Sequence, residues 1–158
     1  YLSQFQFSKI YSSPLTRCLQ TISHLPKDRD VILAPELIEL DTGDFSQIKI
    51  RDLWANNPGF RYQGRNPDLS YPNGECLNLM MRRINEWFEN ERRDWKVGET
   101  ILIAGHEGTV CAILHKILAL DLYHYPTFRI KNCDLVTLHV DSDANTQITF
   151  SSLGQRQA

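Results

Sequence analysis

The sequence predicts an α/β fold, a three-layer α/β/α sandwich built on a mostly parallel sheet. Three observations predict it. Thr100-Ile101-Leu102-Ile103-Ala104 is a continuous apolar run, the pattern of a strand buried on both faces. Short strand-like runs alternate with segments of helical spacing. Two of the strand-to-helix junctions carry Arg17 and His106, at the carboxyl ends of strands where open α/β sheets bind ligands.

The elements follow in chain order. Lys9 to Ser13 reads as a short strand. Pro14 follows, then Leu15, Leu19, Ile22 and Leu25 at helical spacing, with Ser13 expected as N-cap and Pro14 as the first helical residue. Val31-Ile32-Leu33 reads as a second strand, and Ile48 to Trp54 as a short helix. Asn56 to Gly74 holds Pro58, Gly59, Gly64, Pro67 and Pro72 and reads as a long surface loop. Its Phe60, Arg61, Tyr62, Arg65 and Tyr71 are candidates to line a pocket mouth or, equally, to pack as loop aromatics.

Glu75 to Trp95 is the clearest helix. Leu77, Met81, Ile84, Phe88 and Trp95 fall near one stripe, while Arg82, Glu86, Glu89 and Arg93 fall away from it. Glu89 and Arg93 are expected to pair at i,i+4. After the apolar strand, Gly105 to Gly108 reads as a turn and Thr109 to Leu120 as a helix. Leu135 to Val140 and Gln147 to Ser152 read as late strands joined by a polar turn at 141–145.

Composition bounds the function. The 158 residues suit one domain, 1–158. Against 19 Asp and Glu stand 17 Lys and Arg, so no basic excess exists to track nucleic acid. No apolar run approaches the roughly 20 residues of a membrane span. Cys18, Cys76, Cys111 and Cys133 form no C-x-x-C pair and read as reduced thiols of a cytoplasmic protein. Close His or Cys pairs are lacking, so no metal and no cofactor are predicted. The oligomeric state is not readable, and a homodimer is compatible with everything above.

The chemistry concentrates at the two junctions. A helix starting there presents unpaired N–H groups and a partial positive charge. Arg17 in a first helical turn is unfavourable on dipole grounds unless an anion sits between it and the helix end, and a guanidinium grips a phosphoryl group with two hydrogen bonds. His106 at a strand exit can donate to an anion or exchange protons near neutral pH. Glu39, between Ile38 and Leu40, is the third candidate, since partial desolvation disfavours its charge and lets it deliver a proton. Each has a plainer reading: a solvated arginine, a structural histidine, a surface acid. His24, His115, His124 and His139 read as structural or surface residues.

The motifs around these residues resemble the histidine phosphatase, or phosphoglycerate mutase-like, family. Ile10-Tyr11-Ser12-Ser13-Pro14-Leu15-Thr16-Arg17-Cys18-Leu19-Gln20-Thr21 is similar to the family's Ser-Ser-Pro-Leu-x-Arg-Ala-x-Gln-Thr segment. Leu37-Ile38-Glu39 with Gly43 resembles its acid loop. Gly74-Glu75-Cys76 with Arg83 resembles its Gly-Glu-Ser helix start, and Ile101 to Leu114 its late strand, His-Gly turn and helix.

The resemblance implies a phosphoglycerate mutase-like fold and metal-free hydrolysis of a small phosphate ester through a phosphohistidine. It implies that Arg17 binds phosphoryl oxygens, His106 stabilises the transferring group, Glu39 protonates the leaving oxygen and the Glu107 backbone N–H contacts substrate. The short stretch between Gly43 and Gly74 looks more like the phosphatase branch than the mutases. An inactive phosphate-binding relative and a mutase-type phosphotransferase are the alternatives.

This chain departs from the pattern. The family's nucleophile is a histidine in an Arg-His-Gly motif on its first strand, and no Arg-His-Gly occurs here. The chain begins at Tyr1, and the expectation is that it lacks its N-terminal part, the first strand included, and is inactive as it stands. In the family that strand neighbours the one leading to the second histidine, so its loss is expected to leave two unpaired strand edges. Glu107 stands where glycine is usual, and Cys18 and Cys76 replace Ala and Ser. Asp44-Phe45-Ser46-Gln47 replaces Asp-Trp-Glu-Gly.

Overall fold

The computed structural model describes residues 1–26, 30–140 and 146–152. Three short strands, β1 (Lys9–Ser12), β2 (Val31–Leu33) and β3 (Ile101–Ala104), form a parallel sheet in the order β2-β1-β3. The register sets Ile10 beside both Val31 and Leu102, and Tyr11 beside Ile32 and Ile103. Alternate residues of a strand face opposite sides. Ile10 and Leu102 therefore pack on one side with Phe7 and Ile22 of α1 (Thr16–Ile22). Tyr11, Ile101 and Ile103 pack on the other with α3 (Leu77–Glu91) and α4 (Glu107–Ile117). Helix, sheet and helix are thus the three layers expected.

The later strands β4 (Asp134–Val140) and β5 (Thr146–Ser152) are antiparallel and form a separate two-stranded sheet. The polar turn at 141–145 lies outside the described residues. Leu138 of β4 packs on the α3/α4 core. Among the described residues β3 is paired only with β1, and β4 only with β5. One edge of each is therefore unpaired.

Several element boundaries differ from expectation, each for a local reason. Ser13 does not cap a helix: its N–H extends the sheet to the Ala104 carbonyl at 2.9 Å, and α1 starts two residues beyond Pro14, after Leu15 in extended conformation. Helix α2 runs Ile50–Asn56, because Ile48 N–H is held by the Phe45 carbonyl at the end of the preceding 3-10 turn. The loop after it contains a 3-10 segment, Pro58–Arg65. Helix α3 begins at Leu77, since the Glu75 carbonyl is taken by Tyr71 N–H in the loop. It ends in a 3-10 turn, Arg92–Asp94, that swings Trp95 onto Phe88 and Tyr11. Its buried face adds Met80 and Trp87 to the expected stripe. Glu89 pairs with Arg92 at 3.4 Å and Lys116 at 3.7 Å rather than with Arg93. Helix α4 starts two residues earlier than expected and ends at Ile117, so Glu107 and Gly108 are helical.

Candidate active site

The two junctions meet. His106 occupies the position just before α4, and Arg17 lies in the first turn of α1. Arg17 Nε–H donates to His106 Nδ1 at 3.2 Å, across 89 residues of sequence. A guanidinium and an imidazole therefore share one place at the carboxyl ends of β1 and β3.

Two further side chains complete the imidazole's surroundings. Ser13 Oγ lies 2.9 Å from His106 Nε2. Cys18 Sγ lies 3.5 Å from the same nitrogen and donates to the Gly105 carbonyl at 3.4 Å. Both are buried. Neither stands out in the sequence as a site residue, because Ser13 has a ready role as a cap and Cys18 as a packed thiol. The signal was positional: Ser13 ends a strand, and Cys18 follows Arg17.

Burial, with Arg17 and Arg83 nearby, lowers the His106 pKa to about 4. The expectation of proton exchange near neutral pH does not hold for this arrangement. Two fixed cations and partial desolvation keep the ring neutral at pH 7. Cys18 is shifted the other way, its thiol raised mainly by burial and only partly offset by Arg17.

Glu39 reaches the same helix end. Its Oε2 accepts from Gly108 N–H at 3.2 Å, while Oε1 accepts from its own neighbour Leu40 at 3.0 Å. The carboxylate is therefore held by backbone donors rather than by an apolar pocket. Gly108 makes this approach feasible, since a Cβ there would collide with Glu39 Oε1. Thr109 Oγ1 donates to the Leu37 carbonyl at 2.9 Å and ties α4 to the same loop.

The acid loop is clamped from α3. Arg83 Nε donates to Glu75 Oε2 at 3.1 Å, Nη2 to Glu75 Oε1 and to the Glu39 carbonyl, and Nη1 to the Glu36 carbonyl. Glu75 Oε1 in turn accepts from Asp41 N–H at 3.0 Å. One bidentate ion pair thus holds both ends of residues 36–41. Gly43, at φ +50°, lies so close to Pro72 and Asn73 that a side chain there would strike their backbone.

Glu107 points away. Its Oε1 accepts from Ile130 N–H at 3.3 Å and lies 3.8 Å from Arg129 Nη1. The unusual carboxylate is spent on the segment before β4 instead of facing an anion. Phe60 and Tyr71 stack at 4.3 Å between centroids, with Phe45 edge-on, so these loop aromatics pack on one another. Arg65 lies over the Tyr62 and Tyr123 rings at 4.7 and 5.6 Å. His115 is buried, while His24, His124 and His139 are exposed. Among the described residues no cluster of three or more His, Cys, Asp or Glu side chains has metal-binding geometry, and no helix is long and apolar enough to cross a membrane.

Comparison with known proteins agrees with this architecture. A profile described as the histidine phosphatase superfamily (branch 1) matches residues 1–152. No curated protein matches significantly in sequence. Among solved structures, the chain is similar to an α-ribazole phosphatase from Shigella flexneri at TM-score 0.71 and 20% identity, covering 96% of this chain and 75% of that one. A mycobacterial glucosyl-3-phosphoglycerate phosphatase in complex with inorganic phosphate gives TM-score 0.73 and 19% identity, over 95% of this chain and 78% of that one. YhfR of Bacillus stearothermophilus gives TM-score 0.76 and 18% identity, over 96% and 76%. At such identities these likenesses speak for the phosphoglycerate mutase-like fold. With the family profile spanning nearly the whole length, the chain belongs to the histidine phosphatase superfamily, branch 1.

Proposed function

We propose that this protein works as a phosphomonoester hydrolase on a small phosphorylated metabolite, through a phosphohistidine. The observation that carries the reading is the contact of Arg17 with His106 at 3.2 Å, beside the α4 end that also holds Glu39. A phosphoryl group bound there meets a guanidinium, an imidazole, the Glu107 backbone N–H and the positive end of an 11-residue helix. Positioning and charge stabilisation of this kind carry most of phosphoryl-transfer catalysis.

On this reading the nucleophile comes from a segment outside these 158 residues, which contain no Arg-His-Gly. The edge of β3, the strand that leads to His106, is unpaired among the described residues and supports it: a further strand added there places a side chain next to the site. The nucleophilic imidazole nitrogen attacks phosphorus as the P–O bond to the leaving group breaks, and the Glu39 carboxylic acid gives its proton to the leaving oxygen. Water then attacks the phosphohistidine. Its proton passes to the Glu39 carboxylate, the P–N bond breaks, and inorganic phosphate leaves.

The test is hydrolysis of an aryl phosphate. The 158-residue chain is expected to show no turnover above background, for want of its nucleophile. A longer product of the same gene carrying an Arg-His-Gly is expected to be active, and Arg17→Ala or His106→Ala in it to cost at least about a hundredfold in kcat/KM. Changes under tenfold at both positions would remove them from the site. The second reading, a phosphate-binding protein without activity, has the missing motif in its favour, and an extended chain that binds phosphate but never turns over would establish it.

A further inference from the structure

We propose that Ser13 is a positioning residue: its buried hydroxyl accepts the Nε2–H of His106 and leaves Nδ1 as the ring nitrogen that meets an incoming phosphoryl oxygen. The geometry assigns the protons one by one. A guanidinium only donates, so the 3.2 Å contact from Arg17 Nε makes Nδ1 an acceptor, without hydrogen. A neutral imidazole carries one hydrogen, which therefore sits on Nε2. Ser13 Oγ faces that nitrogen at 2.9 Å. Cys18 Sγ, 3.5 Å from Nε2, directs its own hydrogen to the Gly105 carbonyl and turns lone pairs toward the same N–H.

Ser13 is suited to this task because its backbone is bonded into the sheet and its hydroxyl is shielded from water. It is wholly buried, its N–H is bonded to the Ala104 carbonyl at 2.9 Å, and Leu15 N–H reaches its hydroxyl at 3.4 Å.

A consequence for ligand binding follows, and it rests on the phosphatase reading above. With Nε2–H already held by Ser13, Nδ1 can donate to a dianion only if the ring takes up a second proton. Anion binding at this site therefore takes up one proton at His106. The charged and titratable groups nearest the ring are Arg17 and Cys18 on α1, Arg83 on α3 and Glu39, whose loop reaches the start of α4; the Glu107 carboxylate turns away to Ile130 and Arg129. The two arginines oppose the second proton, and a bound dianion reverses that balance.

Long-range 1H–15N correlation of the imidazole rings in the 158-residue chain at pH 7.5, assigned with His106→Asn, reads the tautomer directly. The expected spectrum shows a neutral His106 with hydrogen on Nε2. Ser13→Ala is expected to shift the tautomer ratio by about fivefold or more, the worth of one ordinary hydrogen bond. Predominant Nδ1–H in the unaltered chain, or an unchanged ratio in folded Ser13→Ala, overturns the proposal.

Sulfate, a dianion that does not itself titrate near neutral pH, supplies a second arm that needs no variant. Sulfate is expected to move the Arg17 Nε resonance and convert His106 to imidazolium. Binding with the ring still neutral overturns the proton uptake. Sulfate that perturbs neither Arg17 nor His106 counts against the phosphatase reading and leaves the tautomer assignment to the first arm.

Discussion

Against one face of the parallel sheet, α3 and α4 bury Leu77, Met80, Met81, Ile84, Trp87, Phe88, Ala112 and Ile113 around Tyr11. Against the other, α1 buries Ile22 with Phe7, Ile10 and Leu102, and little else. The α1 face also borders β2, whose Val31, Ile32 and Leu33 are all exposed. One half of the molecule is a packed core, and the other is a single short helix on a strand edge. The candidate site is assembled across this division. His106, Glu39 and their clamp belong to the deep half, whereas Arg17, Cys18 and Ser13 come from the end of β1 and the start of α1. The contrast teaches that Glu39 and His106 are anchored on the deeply packed layer, while Arg17 sits on the thinner one.

Core truncations should break this comparison most visibly. Ile84→Ala, at a wholly buried position on α3, is expected to cost about 3–5 kcal/mol in denaturant unfolding. Ile22→Ala, 6% exposed and in the small cluster, is expected to cost about 1–2 kcal/mol less, since the thin layer can collapse around the gap. Equal losses would mean that the two faces contribute alike.

The next effect concerns the clamp. Arg83→Met keeps most of the side chain's volume but leaves the Glu75 carboxylate, 17% exposed, without its partner, and frees the Glu36 and Glu39 carbonyls. A loss of about 2–3 kcal/mol is expected, short of the full penalty for a completely buried pair. Amide exchange should quicken over residues 36–41 and much less over α1. Uniform quickening in both places would show that the clamp does not act locally on the acid loop.

Acid should separate the halves through His106. Its pKa in the folded chain is lowered from 6.5 to about 4, so the unfolded chain takes up the proton first as pH falls. Stability is therefore complete above about pH 6.5 and declines as pH drops toward 4, by an amount on the order of 2 kcal/mol once solvent screening of the half-buried ring is allowed for. His115, buried against Tyr125 and Phe128 and lowered mainly by desolvation, loses stability in the same direction as pH falls below 6.5. Urea midpoints measured from pH 7.5 to 4 should fall less steeply for His106→Asn than for the unaltered chain. Parallel profiles would show that His106 is not held neutral.

These contrasts also show which features are legible in the sequence. Arg17 and His106 stand at strand ends, where ligand sites of such sheets lie, and a residue's place at a strand end can be read from hydrophobic patterning. Glu39 stands out by its apolar neighbours, yet what holds it is the backbone of Gly108, far along the chain. Hydrogen bonds across 69 residues leave no periodicity to read. The expected Ser13 cap gives way for a related reason: its hydroxyl faces His106, 93 residues away, and the extended Leu15 puts the start of α1 at Thr16. The outward turn of Glu107 depends on Ile130 and Arg129, which no pattern connects to it. That Arg17 and His106 serve one anion is legible from the two junctions themselves, and the resemblance to the family adds the separate roles of the two side chains.

The smallest expected effect lies on β2. Leu33 is 54% exposed at the edge of the sheet, so Leu33→Thr removes little buried surface and keeps a branched residue suited to a strand. A change within about 0.5 kcal/mol is expected, as for surface positions without partners. Three consecutive exposed apolar residues on an edge strand are costly to leave open, because such an edge pairs readily with another chain. The unfolding midpoint of Leu33→Thr should therefore be measured over a wide range of protein concentration. Independence from concentration, with the small change above, identifies β2 as a free edge of the thin half. A loss several times larger that grows with concentration in the unaltered chain alone would mean that a second copy covers β2. The layer carrying Arg17 would then be completed by association rather than left thin.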